Sequence, residues 1–121
     1  LRDAEKRISA FVTEPIATQD GSNENTWNTN AMDPTPTNAA PWWLERDAAW
    51  WSANGVASVN VANVATPPRY IIEELVFDND DENKGTGSPV DGIVHYRITA
   101  RGTGGSDQAR VLLQSTVIKR Y

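Results

Sequence analysis

Trp27, Trp42, Trp43, Trp50 and Trp51 are all the tryptophans of the chain, and they fall within residues 27–51. Clustered indoles can fill a core, anchor a protein interface or stack on sugar rings. Core or half-core filling leads here, an interface comes second and sugar binding third. Residues 42–51 read as helical, with Pro41 at a suitable first position and Gly55 just past the end. At about 100° per residue, the rings of Trp42, Trp43, Trp50 and Trp51 would spread over roughly half of a helix circumference. Such an arc is too wide to be buried on one sheet face. At least one of these four is therefore expected to be substantially exposed and to serve as a partner contact.

The other candidates for chemistry are weaker. Asp78-Asn79-Asp80-Asp81-Glu82 gathers carboxylates as a calcium loop does. The EF-hand pattern, however, needs glycine where Asn83 stands and glutamate where Pro89 stands. A solvated acidic turn is the better reading of residues 78–85, and chelation of calcium is expected to leave melting unchanged. Gly102-Thr103-Gly104-Gly105 is followed by a strand pattern rather than a helix, so it reads as a hairpin loop and not a phosphate cradle. Adjacent Glu73 and Glu74 would point to opposite faces of a strand and cannot flank one glycosidic bond. The single histidine, His95, lies on a polar strand face, where exposure without a role is expected. With no cysteine and one histidine, thiol chemistry is excluded and a His-based metal cluster is impossible. The residues hold no catalytic constellation, and neither enzyme activity, cofactor nor metal is expected.

The elements that must position these residues come from 121 residues, room for one domain. Net charge is −5, divided as −9 over residues 1–91 and +4 over residues 92–121. An acidic chain argues against nucleic acid as the main partner. The basic tail reads mostly as a solvated strand face. The longest apolar run is four residues, Ala48 to Trp51, so no membrane span or secretory signal is expected within the chain.

Leu1, Ala4, Ile8 and Phe11 form a helical stripe that Pro15 should end, and nothing resembling an N-cap precedes it. Residues 18–41 carry five Thr, five Asn and three Pro with no Lys or Arg, which predicts irregular, turn-rich structure. Residues 56–64 alternate weakly, enough for a short edge strand. Residues 68–77 suit a strand, although a Glu on each face leaves helix open. Residues 93–101 alternate cleanly: Val94, Tyr96, Ile98 and Ala100 oppose His95, Arg97, Thr99 and Arg101. In the last segment Ala109, Val111, Leu113 and Val117 oppose Arg110, Gln114, Thr116 and Arg120. The order implies an α+β domain: a helix, a long loop with an inserted helix, then consecutive antiparallel strands.

Three stretches together resemble the PilX family of type IV pilus minor pilins. They are Leu1-Arg2-Asp3-Ala4-Glu5, then Pro68-Arg69-Tyr70-Ile71-Ile72-Glu73-Glu74-Leu75, then Tyr96 through Gly104 with Val111 through Val117. Residues 13–67 carry no matching motif. The resemblance implies a pilin-like fold, with a long N-terminal helix packed on an antiparallel sheet. It favours strand over helix for residues 69–77. Residues 1–14 would be the last part of that helix, 15–67 a variable loop with the Trp-rich helix, and 68–121 the sheet. It also implies an apolar half-helix and a leader upstream, the first serving as the only membrane anchor. The implied function is non-enzymatic. A periplasmic domain of an inner-membrane protein would help prime pilus assembly and remain at the tip, contacting other minor pilins, the major pilin and a tip-associated adhesin. A type II secretion pseudopilin shares this architecture, and a carbohydrate-binding module using the tryptophans is the alternative from another class.

Overall fold

The structure, a computed structural model, describes residues 1–59, 61–79 and 92–121. Most of the acidic run, and with it the calcium reading of residues 78–85, lies outside them. The elements run α1 (Arg2–Ala10), β1 (Thr26–Asn28), α2 (Trp42–Glu45), α3 (Ala48–Asn54), β2 (Val56–Ala57), β3 (Arg69–Asn79), β4 (Gly92–Thr103) and β5 (Arg110–Arg120). One sheet orders them β1-β3-β4-β5, with β2 also paired to β3.

The long antiparallel ladders β3–β4 and β4–β5 follow the alternation read in the sequence. Val94, Tyr96, Ile98 and Ala100 are buried and join Tyr70, Ile72, Ala4 and Ile8 in a core beneath α1. The predicted stripe of α1 is therefore its buried face, with Leu1 and Phe11 partly buried at either end. Glu73 and Glu74 do fall on a strand, in register with Arg97 and Tyr96. A bulge between Glu74 and Val76 then shifts the register of β3. The glycine-rich segment closes the β4–β5 hairpin, with Gly104 N–H donating to the Ala109 carbonyl at 2.7 Å.

Several expectations are corrected. The sheet is mixed, because β1 runs parallel to β3, pairing Thr26 with Ile72 and Asn28 with Glu74. Three residues of Thr-Trp-Asn are too short to show a period against their turn-rich surroundings. Helix α1 ends at Ala10, ahead of Pro15, because Phe11 turns extended. Its last carbonyls meet a cation there: Lys119 Nζ on β5 donates to Ile8 and Ser9 carbonyls at 2.9 Å, and also to Phe11. A cation at a helix C-terminus is favourable both to the orphan carbonyls and to the helix dipole. The basic tail is thus not simply a solvated face. In β5 the apolar side is covered by the core only near Val117, while Val111 and Leu113 remain exposed. Leu112, on the opposite side, packs toward the tryptophans.

The α1 side of the sheet also collects hydroxyls and carboxyls. Tyr96 and Tyr121 share a hydrogen bond at 2.7 Å, and burial pushes both phenols upward from their ordinary range. Burial first, and the charge of Glu14 second, raise the Glu74 carboxyl above its ordinary 4.5. A carboxyl raised in the folded state favours folding at low pH, and that contribution is lost as pH climbs from the unfolded value through the folded one. Glu74→Gln should therefore raise Tm at pH 7 and flatten the rise in Tm on going to pH 5. Thermal melts at both pH values check this; an unchanged slope would mean the carboxyl titrates normally. Lys119→Met should lower unfolding free energy by about 1–2 kcal/mol in urea denaturation, through loss of the helix-end contacts.

Candidate functional site

On the other face of the sheet the tryptophans form the second core. The continuous helix expected over residues 42–51 is two short ones. Arg46 turns extended after α2, and Asp47 starts α3 as its N-cap, its Oδ1 accepting from Trp50 N–H at 2.9 Å. Gly55 follows α3 as expected. The break lets both Trp pairs converge instead of fanning around one axis. Trp42 is the hub, with ring centres 5.7 Å from Trp43, 5.6 Å from Trp50 and 5.7 Å from Trp51. Trp27, which the sequence reading left out of the site, joins through Trp50 at 6.1 Å.

Burial within the cluster is graded. Trp42 and Trp51 are each 1% exposed and form its floor with Met32 and Ile71. Trp43 and Trp50 are partly buried at its rim. None of the four is substantially exposed, contrary to the expectation drawn from a single helix. Arginine covers the two rim rings. The Arg97 guanidinium lies 4.8 Å from the Trp43 ring centre, and that of Arg46 lies 5.0 Å from Trp50. Such cation–π contacts contribute about 0.5–1 kcal/mol at partly exposed sites. Sugar stacking needs an open indole face, which the floor rings Trp42 and Trp51 do not offer.

Arg97 is held in place by the carboxylate of Glu73, which is fully buried. Arg97 Nε and Nη2 donate to the two Glu73 oxygens, each at 2.8 Å, a bidentate pair. Asn30 closes the network. Its N–H donates to Glu73 Oε1 at 3.0 Å, and its side-chain oxygen accepts from Arg97 Nη2 at 3.1 Å. Asn30 takes a positive φ of 56°, a conformation that asparagine tolerates better than most residues. Gly21 plays a comparable steric part below Trp27. Its φ is 67°, and a Cβ there would lie 2.3 Å from the Trp27 indole nitrogen.

The indole N–H groups of Trp42 and Trp51 are buried without a hydrogen-bond partner among the described residues. Each costs about 1–3 kcal/mol, which the apolar burial of the rings must exceed. Outside the cluster, His95 is partly buried and engaged rather than exposed. Glu73 and Glu74 separate to opposite faces as their adjacency required. The described residues hold no group of three or more His, Cys, Asp or Glu suited to a metal ion. None of their helices is long and apolar enough to cross a membrane.

Truncation should separate floor from rim. Trp42→Ala or Trp51→Ala should lower unfolding free energy by about 3–5 kcal/mol. Trp43→Ala should cost about 1 kcal/mol, chiefly its arginine contact. Chemical denaturation followed by far-UV circular dichroism tests this, and equal losses at the two levels would contradict the grading.

In comparison with known proteins, the family described as "Type IV pilus assembly protein PilX C-term" matches residues 13–119. The matched span takes in the whole tryptophan region, where no motif had been apparent, and leaves out the Leu1 to Glu5 stretch. No curated protein and no solved structure matches the chain.

Proposed function

This chain belongs to the PilX family of type IV pilus assembly proteins, and from that footing we propose that it is a non-enzymatic minor pilin. It acts in the complex that primes pilus growth and remains at the tip. The family match through residues 13–119 carries this reading. Partners are other minor pilins, the major pilin and a tip-associated adhesin. The globular part lies in the periplasm before assembly, anchored in the inner membrane by an apolar helix N-terminal to α1, and becomes extracellular within the pilus.

The tryptophan face supplies the partner contact, with its roles divided by depth. Trp42 and Trp51 support the surface from below. Trp43 and Trp50 form its rim, and Leu44, 67% exposed, extends the rim outward beside Trp43. Large apolar groups beside arginine are typical of interface anchors.

A strain lacking the gene should lose surface pili and twitching. Normal pili with failed protein secretion would instead identify a type II pseudopilin. Trp43→Ala combined with Leu44→Ser should weaken capture of a minor-pilin partner by about 2 kcal/mol or more while leaving the fold intact. Unchanged capture of every pilus partner would remove the tryptophan face from the interface. Tryptophan fluorescence that shifts on titration with an oligosaccharide panel would favour the carbohydrate-binding alternative.

A further inference from the structure

The chain has 16 acidic and 11 basic residues, yet one face of its sheet concentrates arginine. Strand register sets Arg69 on β3, Arg97 and Arg101 on β4, and Arg110 on β5 all toward the tryptophan side. Arg97 is paired with Glu73. Arg69 and Arg101 stand directly opposite each other across the β3–β4 ladder, a like-charge arrangement that is unfavourable by itself. Arg69 donates to the Gly55 carbonyl, while its Nε is buried without a partner. Arg101, partly buried, and Arg110 have neither a hydrogen-bond nor an ion-pair partner among the described residues. Arg101 is partly buried and Arg110 is exposed beside it, so with Arg69 across the ladder they make a local excess of positive charge that an incoming anion would balance.

Two cavities meet at these arginines. One, of about 240 Å³, is lined by Trp43, Leu44, Arg46, Arg101, Arg110 and Leu112. The other, of about 310 Å³, shares Arg101 and Arg110 and adds Ala48, Ala49, Ser52, Thr66 and Asp107. Arg46 is oriented beforehand, its Nε donating to the Met32 carbonyl at 2.8 Å while its guanidinium rests on Trp50. Asp107 is the acid that lines the second cavity. It accepts from the Thr66 hydroxyl and forms no ion pair with either arginine among the described residues.

We propose that this double cavity binds a carboxylate-bearing peptide segment of a partner protein, the carboxylate seated on Arg101 and Arg110. A neighbouring apolar side chain packs in the first cavity against Trp43, Leu44 and Leu112. The guanidinium fork matches a carboxylate in two parallel hydrogen bonds. The carboxylate can be an acidic side chain or a chain terminus, since both present the same two oxygens. The leucine and tryptophan walls suit a peptide better than an acidic sugar, whose hydroxyls would find few partners there. Each cavity lies near the lower end of ligand-site volumes, about 300 Å³, which fits a side chain rather than an extended polymer. The inference deepens the assembly reading and rests on it only in taking the partner to be a protein.

The test is a titration of the ¹⁵N-labelled chain with defined probes. These are acetyl-Gly-Leu-Glu-Gly-amide, its Leu-Gln counterpart, acetyl-Gly-Gly-Leu with a free carboxyl terminus, and a glucuronate oligosaccharide. The expected result is saturable amide shifts at residues 43–46, 101–103 and 110–112 with at least one carboxylate peptide. Binding of the Leu-Gln peptide should be about fivefold weaker or worse. The tighter of the two carboxylate peptides identifies the side chain or the terminus as the natural group. Arg110→Gln and Arg101→Gln should each weaken the binding by about fivefold or more. Neither should lower Tm by more than about 2 °C, because no internal partner is lost and Arg101→Gln relieves the contact with Arg69. Binding of neither carboxylate peptide up to about 20 mM overturns the proposal. So do equal binding of the Leu-Gln peptide, preference for the glucuronate oligosaccharide, or indifference to both arginine variants. The assembly reading fails separately, if the deletion strain keeps its pili, since the peptide titration does not depend on that strain.

Discussion

A carboxylate fully removed from water dictates much of the arrangement on the tryptophan side. Glu73 stands in the middle of β3 with no exposed surface, and an isolated ion there would be strongly unfavourable. Its partner has to come from the adjacent strand, and the register places Arg97 opposite. The paired guanidinium then fixes two more things. It draws Asn30 onto the sheet, which ties down the loop leading from β1, and it lies over Trp43 at the cluster rim. Replacing such a pair by apolar groups can be neutral, whereas breaking it leaves a charge stranded. Its weight here is therefore in specifying which loop conformation and which indole packing accompany the sheet.

The sheet thereby separates two cores of different character. Beneath α1 the packing is aliphatic and tyrosine-rich, with Lys119 closing the helix end. On the far side five large indoles cover one another and need arginine to finish their edges. Flat rings in a short, broken segment can all be shielded only by converging on a hub. The capped turn at Asp47 provides that convergence, and Gly21 allows Trp27 to complete it.

The parts of the fold legible from sequence were those governed by a repeating period and a long ladder. Alternation in 93–101 gave the faces of β4, the stripe from Leu1 to Phe11 gave the buried side of α1, and the glycine-rich segment gave the hairpin. What escaped depended on single residues. The interruption at Arg46 and Asp47 has no proline or glycine to mark it, although Asp47 three residues before Trp50 is a serviceable N-cap signal. The parallel pairing of β1 is set by where the loop is tied down, through Thr18, Asn30 and Glu73, and those contacts are 8 to 46 residues apart in sequence. The four candidate tryptophans fan out only around a single helix axis, and the chain has two axes there. Trp27 lies outside the helical pattern, and its closeness in sequence to the other indoles is the one sign that it joins them.

Charge shows most plainly why composition and surface chemistry differ. A chain with net charge −5 suggests an acidic surface. Strand alternation sorts side chains by parity, however, and parity has no regard for net charge. Arg69, Arg97, Arg101 and Arg110 reach the same face because each occupies the same phase of its strand. Among the described residues only Arg97 meets a buried carboxylate. The others adjoin indoles, leucines and one another, with Arg69 and Arg101 partly buried and Arg110 exposed at the edge. A cation resting beside an aromatic ring shields that ring in the free molecule, yet the contact is worth only about 1 kcal/mol. An incoming group that offers both a carboxylate and an apolar side chain can exceed that value. Arg46 and Arg97 finish the rim of the tryptophan layer, Arg101 and Arg110 beside it are left to meet an incoming carboxylate, and the floor of Trp42 and Trp51 stays closed.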